Sequence, residues 1–533
     1  MTTPDPDASH DRTLRIPGDR TAVRTLRPRL FANRSGRWLL LVSGAASAHA
    51  LVTLSISLTR LYTGKVAIVD LGAVDQAIWT ALHYAVPTTT IYPPFDVANW
   101  LGFLFAPVVL IMVPVYALAP FPELLLALQS ASVAGAAIPV FLACRRVLER
   151  ADLAAGWSLL YLVNPFVFGG VIWEFHEKSL ATLAIAVGFW ALLSRRHRIF
   201  VSSMVLLVMC REHYGVAVAG FGALWLRHYG RERAGFLSMA LGAVATTVVF
   251  LAIMPALNVS GGHPILDAKA GDQLARYGWL QQPAPAILGT LTGLAIPGVS
   301  YLAVLLVTTG GTALLAPAFL APGLADLAAN LLSVNPMPRS LSAYHSMALV
   351  PVFVIAAAQG SVCLAKRGLP IRLGLAPTLV LLYMFLPAPV PGSRNPWQVA
   401  SLRLRPDPAV AEIRALLPAD RSLSAQANIG SFFSQRLRVY RFPARLETAD
   451  AVVLRLVMPF EPPTYAPFSN PYAPREMPAV FDAMEDVLQD PSFGVLYWER
   501  GWLVAVRGAA DAVARDGPRR RLDDLRSQYE AAR

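Results

Sequence analysis

Long apolar segments separated by short polar stretches dominate the chain between residues 38 and 390. A membrane-spanning helix needs about 20 apolar residues, and the first such stretch runs from Trp38 to Leu61. Further apolar segments occupy 101–118, 123–143, 153–172, 179–194, 199–210, 214–226, 234–257, 286–309, 312–333, 344–363 and 371–388. This pattern predicts a mainly α-helical, polytopic transmembrane bundle with about 10–12 membrane segments.

Basic residues lie in the short loops between apolar segments, and they predict the sidedness of the bundle. Cytoplasmic loops carry an excess of Lys and Arg, so the Arg-rich tail 1–37 is predicted to be cytoplasmic. The first outer loop, 62–100, then lies on the extracytoplasmic face of the cytoplasmic membrane. The other predicted cytoplasmic loops contain Arg145-Arg146, Arg195 to Arg198, Arg227 to Arg233 and Lys366-Arg367.

Two regions depart from simple spanning helices. Segment 101–118 is short and contains Pro107 and Pro114; we interpret it as a juxtamembrane or partly inserted helix, because Arg145 requires an odd number of crossings after the first outer loop. Segments 199–210 and 214–226 are each shorter than the hydrocarbon core. The charges between them, Arg211-Glu212-His213, are therefore expected inside the protein or in a wet cavity.

Composition supports a lipid environment. The chain is 55% hydrophobic and 15% charged, whereas soluble domains carry about 25% charged residues. Its net charge of +12 is spread over loops rather than gathered in a patch, which argues against nucleic-acid binding. No phosphate-binding loop, GxGxxG, HExxH or GxSxG motif is present, so a nucleotide-driven pump or a soluble-type hydrolase has no support.

The composition changes after residue 390, where a proline-rich linker precedes a soluble-like region. We predict a small α/β domain at 391–510 on the extracytoplasmic side, followed by a charged helix or tail at 511–533. Its predicted helices are Pro408–Leu417 and Ala479–Leu488, and its predicted strands are Ser422–Ala425, Val439–Phe442, Ala451–Leu456 and Gly494–Trp498.

Ionisable residues near the outer ends of the spans are the candidates for function, because charges at membrane depth are costly. Asp70 and Asp75 lie in the first outer loop and are candidate catalytic carboxylates; Asp70 is alternatively a helix cap. Arg339 is the strongest candidate for binding a phosphate, since a guanidinium matches it bidentately. The other candidates for binding substrate or phosphate are Arg211, Glu174, His176, Glu212 and His345.

These residues also carry a resemblance to a known family. Asp70 to Trp79, Asn164-Pro165, Glu174-Phe175-His176, Arg211-Glu212, Asn335-Pro336 and Tyr344-His345 occur in an order that resembles the bacterial membrane family known as domain of unknown function 2079. The resemblance covers about residues 65 to 508. The departures are Leu104 to Pro107 in place of His-Phe-Ser-Pro, Glu174 for Asp, Arg211-Glu212-His213 for Lys-Glu-Asp, and an absent His near Phe432.

That family is similar to polytopic glycosyltransferases of the GT-C fold. The resemblance implies an acidic residue in the first outer loop, juxtamembrane helices and an outer C-terminal domain. It also implies transfer of a sugar from a polyprenyl-phosphate donor to an envelope glycan or protein acceptor, with Asp70 as the acidic residue and Asp75 as its competitor. No cofactor or metal site is predicted, and a divalent cation is left open. Two alternatives remain: a transporter or lipid-handling protein, and a non-catalytic envelope scaffold.

Overall fold

The computed structural model describes residues 34–258, 277–341, 343–369, 402–457, 472 and 476–531. Residues 1–33 of the predicted cytoplasmic tail, the predicted segment 371–388 and the proline-rich linker lie outside the described residues. Each predicted apolar segment within the described residues contains at least one helix.

Helices make up most of the described chain before residue 370. The helices of the first described stretch are α1 (Arg34–Tyr62), α2 (Ala73–Tyr84), α3 (Trp100–Phe103), α4 (Val108–Tyr116), α5 (Pro122–Gly135), α6 (Ala137–Leu148), α7 (Ala151–Val163), α8 (Pro165–Val171), α9 (Lys178–Leu193), α10 (His197–Cys210), α11 (Tyr214–Tyr229), α12 (Arg233–Val248) and α13 (Met254–Leu257). Those that follow are α14 (Ala284–Thr308), α15 (Pro317–Leu320), α16 (Leu324–Leu332) and α17 (Leu349–Ala365).

Among the described residues, four continuous apolar helical stretches are long enough to cross a membrane: Gly36–Tyr62, Pro122–Leu148 (α5 with α6), Arg233–Leu257 (α12 to α13) and Ala284–Thr308. α7 and α8 form a fifth candidate, bent by 47°. The bend falls at Asn164, whose side chain accepts the amide hydrogen of Phe166 (3.0 Å) and so starts a new helix. Four shorter apolar helices have 10–17 residues: Lys178–Leu193, His197–Cys210, Pro317–Leu332 and Leu349–Ala365.

The predicted fold class, a helical membrane bundle with a small C-terminal α/β domain, is confirmed. Full-length spans among the described residues are fewer than the predicted segments, because several apolar segments are short or broken. Segment 101–118 is one of them: it holds only α3 and the nine-residue α4. The charges between α10 and α11 are inside the protein, as expected, since the side chains of Arg211 and Glu212 are only 11% and 7% exposed.

The first outer loop contains two short antiparallel strands, β1 (Thr88–Thr89) and β2 (Ala98–Asn99). The C-terminal domain has a five-stranded sheet formed by β3 (Leu423–Ala425), β4 (Val439–Arg441), β5 (Ala451–Arg455), β6 (Phe493–Glu499) and β7 (Trp502–Arg507). The order of these strands in the sheet is β4-β3-β5-β7-β6. β3 pairs in parallel with β4 and β5, while β7 is antiparallel to β5 and β6. The helices of the domain and of the stretch that follows it are α18 (Pro408–Leu416), α19 (Met477–Gln489) and α20 (Asp516–Ala531).

The sequence interpretation missed β7. The sequence signal was the pair Arg500-Gly501 between two apolar runs, because a glycine favours a two-residue hairpin turn. In the structure these two residues form that turn, with φ angles of 52° and 81°. The charged C-terminal stretch forms α20, which packs on α19 and pairs Arg526 with Asp482 at 3.0 Å.

The first outer loop packs directly against this domain. The Ile68 amide donates to the Ala427 carbonyl (2.8 Å), and the Thr90 hydroxyl donates to the Val439 carbonyl (2.6 Å). Side chains from α2, α4 and the sheet share one apolar core. Gly430 packs closely on Ile68, since a Cβ at position 430 would lie 2.3 Å from Cδ1 of Ile68 and would force the side chain to shift. Because the loop and the domain form one packed unit, the domain helps to position the loop residues.

Candidate functional site

Asp70 lies in a π-helical turn, Ile68–Gly72, at the start of the first outer loop. Its side chain is 28% exposed. The indole Nε1 of Trp173 donates to Oδ2 of Asp70 (3.3 Å), and Nε2 of His176 lies 4.0 Å from Oδ1. The residue at the N-cap of α2 is Gly72, without a side-chain cap. Gly72, and not Asp70, therefore occupies the N-cap position of α2.

Aromatic rings surround this carboxylate. The His176 ring stacks on the Tyr344 ring with centroids 3.3 Å apart, and Tyr344 stacks on His345 at 4.1 Å. Tyr92 donates its hydroxyl to the Val69 carbonyl next to Asp70. Burial raises the pKa of Tyr92 well above its ordinary value, and the charge of Asp70 raises it further, so the Tyr92 hydroxyl stays neutral.

Gln129 in α5 holds the segment that carries Trp173 and His176. Its Nε2 donates to the carbonyls of Val171 (3.0 Å), Trp173 (3.2 Å) and Glu174 (3.0 Å), and its Oε1 accepts the His176 amide hydrogen (2.9 Å). The sequence interpretation missed Gln129. A buried amide in the middle of an apolar helix was the available signal, because such a group must find partners.

Glu174 faces the base of the first outer loop rather than Asp70. Its Oε1 accepts the Ala67 amide hydrogen (3.3 Å) and lies 3.6 Å from Nη2 of Arg60. Arg60 also donates to the Lys65 carbonyl (2.8 Å). Glu174 and Arg60 thus tie the end of α1 to the turn that carries Asp70.

A network of buried charges continues inward from His176. Lys178 donates to Asp326 (2.5 Å) and to the His345 carbonyl (3.2 Å). Asp326 also accepts a hydrogen bond from the Tyr214 hydroxyl (3.1 Å), and its Oδ1 lies 3.0 Å from Nε2 of His213. The sequence interpretation did not single out Asp326, which lies in an otherwise apolar helix.

Arg211 lies in the same network between two carboxylates. Its guanidinium is 3.8 Å from Glu177 and 3.6 Å from Glu212. Both carboxylate oxygens of the fully buried Glu177 lack a hydrogen-bond partner. Because two carboxylates already offset its charge, Arg211 is a weaker phosphate candidate than the sequence suggested.

Arg339 differs from the other cations of the site. Its Nη1 donates to the carbonyls of Asn330 (3.0 Å) and Ser333 (2.5 Å) at the C-terminal end of α16. Within the part of the chain that the structure describes, it has no carboxylate within 4.0 Å, whereas Arg60 and Lys178 each have one and Arg211 has two. Its two partners at the end of α16 are thus backbone carbonyls, which carry no full negative charge.

Asp75 lies in a different place. It is fully buried. Its carboxyl oxygens lie 2.5 Å from the Tyr116 hydroxyl and 2.6 Å from the Ser434 hydroxyl, and they also hydrogen-bond to the side-chain amide of Gln435. The structure separates it from Asp70, as a spacing of five helical residues suggests, and it joins the first outer loop to the domain. No group of three or more His, Cys, Asp or Glu side chains among the described residues is arranged to hold a metal ion.

The fold and the site define a polytopic membrane protein in which an α/β domain packs on the first outer loop beside a buried charge network. The chain belongs to the family described as predicted membrane protein (DUF2079), which matches residues 60–504. Among solved structures, it is similar to ArnT from Cupriavidus metallidurans bound to undecaprenyl phosphate, with a TM-score of 0.47 and 13% identity over 89% of this chain and 98% of that chain. No curated protein matches the chain.

Proposed function

We propose that this protein is a membrane glycosyltransferase, which moves a sugar from a polyprenyl-phosphate donor to an envelope acceptor on the extracytoplasmic face. The observation that carries the proposal is the environment of Asp70. The Asp70 carboxylate is partly exposed and contacts Trp173 and His176. It lies in the first outer loop, beside the α/β domain. A partly exposed carboxylate is suited to taking a proton from an acceptor hydroxyl.

The chemistry assigned to Asp70 is general-base catalysis. Asp70 takes the proton of the acceptor hydroxyl while the acceptor oxygen bonds to the anomeric carbon of the sugar. The bond between that carbon and the phosphate oxygen breaks, and the polyprenyl phosphate leaves with the electron pair. His176, 4.0 Å from Asp70, is suited to orienting the carboxylate and hydrogen-bonding the sugar or acceptor.

The leaving phosphate needs a cation, because negative charge grows on it in the transition state. Arg339 is suited to this role, since its guanidinium binds only carbonyls in the described chain. Ser346 follows Arg339 by seven positions, and both contact Asn330. The Ser346 hydroxyl hydrogen-bonds to the Asn330 side-chain amide (3.2 Å), and the Asn330 carbonyl accepts a hydrogen bond from Arg339. The same turn carries Tyr344, the ring that stacks on His176.

The test is turnover of lipid-linked sugars by the full chain in nanodiscs, with a panel of radiolabelled polyprenyl-phosphate sugars and an envelope acceptor fraction. We expect transfer by the wild type and a loss of at least about 100-fold for Asp70→Asn, the range of a general base. Glu149→Gln is the matched control and should keep full activity, because Glu149 is an exposed residue just after α6 and contributes nothing to the surroundings of Asp70.

A second variant separates phosphate binding from proton transfer. Arg339→Ala should weaken binding of the polyprenyl-phosphate donor, while Asp70→Asn should leave donor binding intact. Transfer that survives Asp70→Asn unchanged would contradict the proposal. Absence of transfer across the panel, with flux of lipid-linked sugar in vesicles, would favour the transport alternative.

A further inference from the structure

Asp75 is a buried carboxyl group at the contact between the first outer loop and the α/β domain. Its partners come from two separate parts of the chain: Tyr116 from α4, and Ser434 and Gln435 from the domain. None of these groups carries a charge that would balance a carboxylate. An ionised carboxylate without a cation is costly in such a place, whereas a neutral acid is not.

The hydrogen bonds show how a neutral acid is accommodated. Oγ of Ser434 lies 2.6 Å from Oδ2 of Asp75 and 2.9 Å from the Ser431 carbonyl. A hydroxyl has one hydrogen, so Ser434 cannot donate to both oxygens. If Asp75 is protonated, it donates to Ser434, and Ser434 donates to Ser431. Tyr116 and Gln435 still donate to the carboxyl oxygens, so every hydrogen bond is kept.

We infer that Asp75 is a positioning residue, which holds a proton across the contact between the first outer loop and the α/β domain and thereby fixes the turn that carries Asp70. The role of Asp70 rests on the proposed function; the proton-linked contact does not. The proton lies on Oδ2 of Asp75, and Ser434 accepts it in a hydrogen bond. Loss of that proton leaves a buried negative charge and weakens the contact.

The titration of Asp75 agrees with this geometry. Burial raises its pKa from 3.8 to about 7, although the hydrogen bonds from Ser434, Tyr116 and Gln435 act in the opposite direction. The other titratable groups that act on this contact are Glu123 in α5, which raises the pKa of Asp75, and Tyr62 and Arg414, both of which interact with Glu123 or Tyr116.

The sign of the pH dependence follows from linkage. The docked state binds the proton with a pKa of about 7, whereas an undocked, solvated Asp75 has its ordinary value of 3.8. Between these values the docked state holds more protons, so docking weakens as the pH rises. The undocking equilibrium constant should rise by up to about tenfold per pH unit in this window and level off above about pH 7.

Hydrogen–deuterium exchange of the full chain in nanodiscs measures this contact without relying on activity. We expect the amides of residues 68–84 and 430–441 to lose protection as the pH rises from 5 to 7, after correction for the intrinsic exchange rate. Asp75→Asn carries a neutral amide that can donate to Ser434, so its protection should no longer vary with pH. Asp75→Glu should restore the dependence.

Gln76→Leu is the matched control, because Gln76 bridges the same contact through its amide, to Thr90 and the Leu437 carbonyl, but does not titrate. It should lower protection at every pH and keep the wild-type slope. Wild-type protection that does not vary between pH 5 and 8 would overturn the inference, as would an unchanged slope in Asp75→Asn. If protection of the contact varied with pH as expected but the protein transferred no sugar, the proposed function would be refuted and this inference would stand.

Discussion

Removing Asp326 should destabilise the bundle strongly, because it leaves Lys178 charged in the protein interior. The two side chains are 3% and 5% exposed, with Nζ 2.5 Å from Oδ1. Asp326 also receives Tyr214. Deleting one partner of a buried ion pair costs about 3–5 kcal/mol, mostly from the unpaired charge. We therefore expect Asp326→Ala to lower the free energy of unfolding by about that amount.

The assay is reversible unfolding in mixed detergent micelles, followed by tryptophan fluorescence and arranged as a double-mutant cycle with Lys178→Met. The double variant should be more stable than Asp326→Ala, since it has no unpaired ammonium group, and the coupling energy should exceed about 1 kcal/mol. Arg150→Gln is the control: Arg150 and Asp152 are also 2.5 Å apart, but their side chains are 62% and 41% exposed. It should change nothing measurable.

A loss below about 1 kcal/mol for Asp326→Ala, or strict additivity in the cycle, would refute this reasoning. Either result would mean that water reaches Lys178 and solvates it, so that the charge network is a wet cavity rather than a dry ion-pair cluster.

Two further predictions concern the contact between the first outer loop and the domain. Gly430→Ala should cost about 1–3 kcal/mol through overpacking, because its Cβ would lie 2.3 Å from Cδ1 of Ile68; thermal unfolding should show the loss, and Ile68→Ala in the same chain should relieve part of it. Gln76→Leu leaves the buried Thr90 amide, now 3.0 Å from Oε1, without an acceptor and should cost about 1–3 kcal/mol. Proteolysis within residues 62–100 should then be faster, and an unchanged rate would contradict this assignment.

Much of the fold could be predicted from local pattern. The apolar segments located the helices, and the shortness and prolines of 101–118 set it apart from a full span, although its division into α3 and α4 was not predicted. The shortness of the segments around Arg211-Glu212-His213 indicated buried charges. Four strands of the domain were predicted as well, because alternation and β-branched residues are local signals.

Other features depended on partners far apart in sequence. Asp326 pairs with Lys178 across 148 residues, and Asp75 meets Ser434 across 359. Residue type and spacing along the chain do not show which of these distant residues come into contact. The sequence therefore left Asp70 and Asp75 as competing carboxylates, whereas their surroundings differ: one is partly exposed beside His176, and the other is buried among neutral donors.

The sequence by itself determined that this is a helical membrane protein with a small C-terminal α/β domain and polar clusters at the ends of its helices. Hydropathy and turn chemistry are properties of neighbouring residues, so they can be recognised without the fold. Only the tertiary structure decided which cation has no carboxylate partner among the described residues, which carboxylate is partly exposed, and how the first outer loop packs against the domain. Burial and pairing depend on the whole fold, and they set the charge state and availability of each group.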